Sequence, residues 1–183
     1  MQRTRVNGNK RIIIEIASVF LIFVLITLDQ ITKHHFSTTL ALYEEKVVVD
    51  GFFYFTHTVN TGAAWSFLAG VSWSQTFFKI LTGVALVAFF IFYIYAVRKG
   101  YRWLKISLIL VISGTIGNFI DRLIFNGVID FLSFVFGEYH FPVFNLADCF
   151  LVVGVIMLII HYLFIDEGAV FKKKNGEDTV SNK

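Results

Sequence analysis

Four stretches of nearly unbroken apolar sequence, about residues 12–28, 77–97, 104–125 and 144–165, decide what this chain can fold into. Each has the roughly 17 to 25 residues that a helix needs to cross a hydrocarbon core about 30 Å thick. A backbone in lipid must satisfy its own polar groups, so such stretches become helices. With 56% hydrophobic residues, 17% aromatic residues and one proline among 183, little polar sequence remains to clothe a soluble domain. The expected fold is mainly α: a four-transmembrane-helix bundle, with residues 1–183 forming a single membrane domain.

Basic residues in the short flanks set the orientation. Arg3, Arg5, Lys10 and Arg11 precede the first span, and Arg98, Lys99, Arg102 and Lys105 lie around the turn between the second and third. Both groups are expected on the cytoplasmic side, and Lys172 to Lys174 in the 166–183 tail agree. Residues 29–76 carry two Lys against four acids, and residues 127–143 carry acids without Lys or Arg, so both segments are expected outside. The first apolar run ends in "ITLDQITK" with no small-x-small cleavage pattern, which marks a retained anchor and not a cleaved signal. One cysteine, Cys149, excludes an internal disulfide. The cytoplasmic turns account for the net charge of +3 and pI near 9, so no nucleic-acid partner is implied.

The outer segment of about 34–76 contains "KVVVDGFFYFTHTV", two β-branched and aromatic runs around Asp50-Gly51. That pattern predicts a tight hairpin and a small extracytoplasmic antiparallel β-sheet. The second outer segment, about 127–143, is too apolar for a solvated loop. It is expected to be an apolar interfacial loop or helix, anchored by Tyr139 and Phe141.

Ionisable groups within spans cost free energy and each needs a reason. Glu15 and Lys79 lie close enough to span ends to snorkel, and His161 reads as a satisfied polar tip. His34 and His35 are adjacent and point apart, so no metal site is expected. The repeated N-x-x-D is different: Asn118 with Asp121 and Asn145 with Asp148 are each three apart, a spacing that shares one helix face. Asp121 and Asp148 are each about 17 residues from the inner ends of their spans, roughly 25 Å along the axis. Both therefore belong just beneath the outer interface, where Ser113, Gly114, Thr115 and Gly117 allow a close helix neighbour.

Two carboxylates held together share a proton, so one can activate water while the other protonates a carbonyl or leaving amine. Depth counting pairs Asp148 with Asp121, although Arg122 beside Asp121 suits a supporting ion pair. Chemistry pairs Asp148 with Asp130, which lies beyond the Asn126-Gly127 break among Val128, Ile129, Phe131 and Leu132; such flanks raise a carboxyl above its usual range.

The segments "DQITK", "NTGAAWSF", "GTIGNFIDRL" with "GVIDF", and "FPVFNLADCFLVVG" occur in that order from Asp29 to about Gly154. In this the chain resembles the lipoprotein signal peptidase family (signal peptidase II), membrane aspartyl proteases of bacteria. The resemblance implies removal of the signal peptide from diacylglyceryl-modified prolipoproteins just before the lipid-bearing Cys. It assigns Asp130 and Asp148 as catalytic, with Asn118, Asp121, Arg122, Asn145, Asn60, Gly62, Asp29 and Lys33 as substrate-binding or supporting residues. It further implies no cofactor, a monomer in the bacterial cytoplasmic (inner) membrane in contact with membrane lipid, and susceptibility to globomycin-type cyclic peptides. Thr115, Ser66 and Cys149 depart from the residues usual at their positions. Asn118 and Asn145 are expected to orient the carboxylates or the substrate backbone.

A proton- or ion-coupled transporter would also place Asp and Arg in the membrane, but here the acids collect at one end and no polar series continues through the spans. A non-enzymatic scaffold would not need paired carboxylates. The chain has no H-E-x-x-H, G-x-S-G or G-x-G-D motif, which removes the zinc, rhomboid-type and presenilin-type alternatives.

Overall fold

The computed structural model describes residues 8–62, 71 and 73–165. The N-terminal Arg3 and Arg5, Ser66 with most of "NTGAAWSF", and the tail lysines lie outside these residues. Along the chain run α1 (Gly8–Thr39), β1 (Glu45–Val49), β2 (Phe53–Asn60), α2 (Ser74–Lys99), α3 (Arg102–Phe125), β3 (Val128–Phe136), β4 (Tyr139–His140) and α4 (Leu146–Ile160). A π-helical turn, His161–Ile165, continues α4. Four helices, with α4 and its π-turn counted together, are long and apolar enough to cross a membrane.

Helix α3 is the hub of the bundle. Over half of its most apolar window, 56%, is buried inside the protein, against 11% or less for each of the other three, whose apolar faces are left for lipid. Small residues account for the difference. A Cβ on Gly114 would strike Ala147 O and stand 2.8 Å from Leu151 Cγ, and one on Gly154 would stand 2.9 Å from Ser107 O. The α3–α4 seam therefore closes to backbone contact, as small-residue stripes permit in lipid.

The expected hairpin is present. Phe52 N–H donates to Val49 O at 3.0 Å, and Gly51 takes φ +68°, a left-handed value that a side chain disfavours. The β-rich part begins later than 34, because α1 runs on to Thr39, about 48 Å in all and longer than the hydrocarbon core.

Residues 127–143 differ from expectation. Strands β3 and β4 form there in place of a loop or helix, giving one four-stranded antiparallel arrangement in the order β1-β2-β3-β4. Part of the apolarity that suggested lipid contact is consumed within the protein, where Phe131 stacks on Phe36 of α1 at 4.7 Å and Phe134 on Phe53 at 4.6 Å, while Phe136, Tyr139 and Phe141 stay exposed. Two other expectations also change. Glu15 is not left to snorkel, since it accepts from Tyr93 Oη at 2.7 Å and pairs with Lys105 at 3.1 Å, tying α1 to α2 and α3. Lys79 donates to Asn126 Oδ1 at 2.7 Å.

Candidate active site

The site forms where α3 ends, β3 crosses and α4 begins. Asn126 ends α3 with φ +53°, a left-handed conformation that Asn tolerates, and the chain reverses into β3. Pairing of Asp130 with Thr58 of β2 fixes its register, and strand alternation puts Val128 and Asp130 on the face that lines a cavity. The turn at Asn126-Gly127 thus brings Asp130 back to the bundle.

The two N-x-x-D motifs are not equivalent. Asn118 and Asp121 both lie inside α3, but Asn145 is the N-cap of α4, with extended backbone at φ −133°. It forms a capping box with Asp148: Asp148 N–H donates to Asn145 Oδ1 at 3.0 Å, and Asn145 N–H donates to Asp148 Oδ2 at 3.2 Å. Asp148 therefore serves its helix end with one oxygen and keeps the other for the site.

That other oxygen, Oδ1, accepts from Asn118 Nδ2 at 2.7 Å. Asn145 Nδ2 donates to Asp130 Oδ1 at 2.6 Å, and Asn60 Nδ2 reaches Asp130 Oδ2 at 3.4 Å. Gly62 N–H in turn donates to Asn60 Oδ1 at 2.9 Å. Each carboxylate is thus steered by an asparagine amide. Both acids line a cavity of about 620 Å³ whose other walls are largely apolar, among them Phe141, Phe144, Leu151 and Val152.

Asp130 is only 3% exposed. Burial, reinforced by the neighbouring Asp148 charge, pushes its carboxyl up to about 7; hydrogen bonds from Asn145 and Asn60 and the charge of Lys33 offset this only in part. Near neutral pH it can therefore hold a proton.

Asp121, favoured by depth counting, does not line the cavity. It sits behind it, 1% exposed, in a buried group with Asp29 and Lys33. Lys33 Nζ is 2.9 Å from Asp29 Oδ2 and 3.0 Å from Asp121 Oδ2. Asp29 Oδ1 also accepts from Ala147 N–H at 2.9 Å, and Asp121 Oδ2 from Ile129 N–H at 3.0 Å. The ion pair expected between Asp121 and Arg122 is replaced by the pair with Lys33, because consecutive helical residues point apart. Arg122 instead lines the cavity, where Asp148, Asp130 and Asp121 all feel its charge, and its guanidinium lies 5.5 Å from the Phe78 ring centre.

All ten sequence-derived site residues thus converge in two connected shells. Gln30 was not among them, yet its Nε2 donates to Asp121 Oδ1 at 3.0 Å and Gly117 O at 3.1 Å. Its signal was present: a polar amide directly after Asp29 in a lipid-spanning helix. Cys149 lines the cavity beside Asp148. Among the described residues no cluster of His, Cys, Asp and Glu could hold a metal ion.

A family model described as signal peptidase (SPase) II matches residues 21–164. Lipoprotein signal peptidase of Bacillus pumilus is 44% identical over 141 residues, covering 77% of this chain and 88% of that protein. Lipoprotein signal peptidase of Listeria welshimeri is 41% identical over 142 residues, covering 78% and 89%. A bacterial membrane enzyme solved by the in meso method at 2.3 Å resolution superposes with a TM-score of 0.72 at 32% identity, covering 88% of this chain and 94% of the other. A second, solved by the same method at 1.9 Å, gives 0.68 at 35% identity and covers 80% and 92%.

Proposed function

The chain belongs to the signal peptidase II family, and from that premise we propose that it is a multi-pass membrane aspartyl endopeptidase acting on lipoprotein precursors. The reaction is removal of the signal peptide from a diacylglyceryl-modified prolipoprotein, with cleavage immediately before the lipidated Cys. The observation that carries this reading is the pair Asp130 and Asp148 on one cavity wall, each held by an asparagine donor.

In this mechanism Asp130 holds the shared proton and Asp148 acts as base. Asp148 takes a proton from a water that attacks the scissile carbonyl carbon, while Asp130 protonates the carbonyl oxygen. Collapse of the tetrahedral intermediate breaks the C–N bond, with a proton passing to the departing amine of the Cys. The signal peptide leaves with a new carboxylate. Asn118 and Asn145 hold the carboxylates in attacking geometry. Arg122 and Asn60 face the cavity and are suited to peptide carbonyl and amide groups. The apolar walls suit a signal helix and its lipid, and cyclic peptides of the globomycin type would compete for the same space. The protein works as a monomer in the bacterial cytoplasmic membrane, with the site near the outer face and the termini inside.

The test is cleavage of a purified lipidated prolipoprotein by the Asp130→Asn, Asp148→Asn and Asp121→Asn variants. The first two are expected to lose activity by at least about 10³-fold, on the scale of a lost acid–base partner, whereas Asp121→Asn retains a measurable rate. Near-normal cleavage by both Asp130→Asn and Asp148→Asn would sink the dyad.

A further inference from the structure

Each asparagine that steers a carboxylate carries an amide whose oxygen and nitrogen could exchange places with almost no change in shape. Only one orientation of each offers a donor to its acid. Resting on the dyad reading above, we propose that Lys33 is a positioning residue for the reaction: it fixes the Asn118 amide the right way round, so that Nδ2 points at Asp148.

An ammonium has three donors and no acceptor. Lys33 is 1% exposed and uses one donor each on Asp29 Oδ2, Asp121 Oδ2 and, at 2.9 Å, Asn118 Oδ1. Held between two carboxylates, it can present only a donor to Asn118. Asn145 Nδ2 reaches the same oxygen at 3.1 Å, sharing its two hydrogens with Asp130 Oδ1 and Ile129 O. A half-turn of the Asn118 amide would set its NH₂ against two donors. The same turn would bring its oxygen against Asp148 Oδ1 across a 2.7 Å gap, acceptor to acceptor.

Asn145 needs no such help. Its Oδ1 accepts from Asp148 N–H, and its Nδ2 donates to Ile129 O at 3.2 Å, backbone groups that cannot exchange roles. Asn118 is therefore the amide whose orientation depends on other side chains, Lys33 first and the shared Asn145 amide second. Polarity runs from Lys33 through Asn118 to Asp148, although Lys33 is not among the residues that line the cavity. The two acids behind Lys33 hold the ammonium in place for Asn118.

The experiment is a double-mutant cycle on the full-length enzyme, with kcat and KM measured on purified lipidated prolipoprotein. Lys33→Met and Asn118→Ala are each expected to lower kcat by about 10²-fold, the scale of a misplaced catalytic group. KM should stay within about twofold, since only transition-state interactions are lost. The double variant should be no slower than Asn118→Ala, because Lys33 acts through that residue. Losses that multiply to about 10⁴-fold, or a Lys33→Met enzyme with normal kcat, overturn the proposal.

Lys33→Met strands two buried carboxylates, so the cycle is repeated on an Asp121→Asn background. There Asp29 keeps Ala147 N–H and Gln30 Nε2 as donors, and the same non-additivity is expected. Asp130→Asn and Asp148→Asn run alongside separate the two claims. If these are active, the dyad reading fails; if they are inactive while the cycle multiplies, only the role of Lys33 fails.

Discussion

At the scale of single residues, Asp130 supplies the clearest consequence. Its carboxyl is raised to about 7 in the folded protein, so the folded state binds a proton that the unfolded chain releases near pH 4. The folded state gains most from this group below the unfolded value and loses that gain as pH rises toward 7, beyond which the effect is flat. Asp130→Asn is therefore expected to be inactive yet more stable than wild type at pH 8, by one to a few kcal/mol (order of magnitude), with the difference vanishing near pH 4. Thermal unfolding in detergent at the two pH values checks this. In wild type, log(kcat/KM) should fall above about pH 7 as the dyad loses its shared proton; a rate still rising through pH 8 would contradict Asp130 as the acid. That Asp130 lines the cavity and Asp121 lies behind it was only half legible from local sequence. Depth along a helix is countable, but that Asp121 faces Lys33 one helix away depends on packing that no local pattern encodes.

At the scale of elements, the four helices were legible because lipid leaves a chain few options, and their ends fell within a few residues of the expected ones except at α1. The hairpin was legible from Asp50-Gly51. Strand β3 was not, since a run buried on both faces has the same composition as one lying in lipid. The capping box was hidden for a related reason: three-residue spacing describes both a helix face and a cap. The small-residue stripe yields a prediction at this scale. Gly114→Ala drives a methyl into Ala147 O and Leu151, which should cost roughly 1–3 kcal/mol and lower kcat with it, because Ala147 adjoins Asp148. Thermal unfolding and activity on the same preparation check it; a Gly114→Ala enzyme as stable and active as wild type would mean that the seam is looser than described.

At the scale of the whole molecule, the distribution of Lys and Arg predicts that both termini lie on the cytoplasmic side. Reporter domains fused at either end and in the Gly137-Glu138 turn provide the measurement. Signal from the termini inside and the turn outside is expected, and the reverse pattern would place the cavity on the wrong side for an exported substrate. The bond from Ala147 N–H to Asp29 has a further meaning when the order of synthesis is considered. It joins α1 to the start of α4, a helix made well after it, and Asp148 arrives with α4. Until α4 inserts, Asp29 lacks its Ala147 N–H donor and the proposed dyad lacks one acid. The pair of acids proposed to cut is therefore complete only once α4 has been made and has inserted.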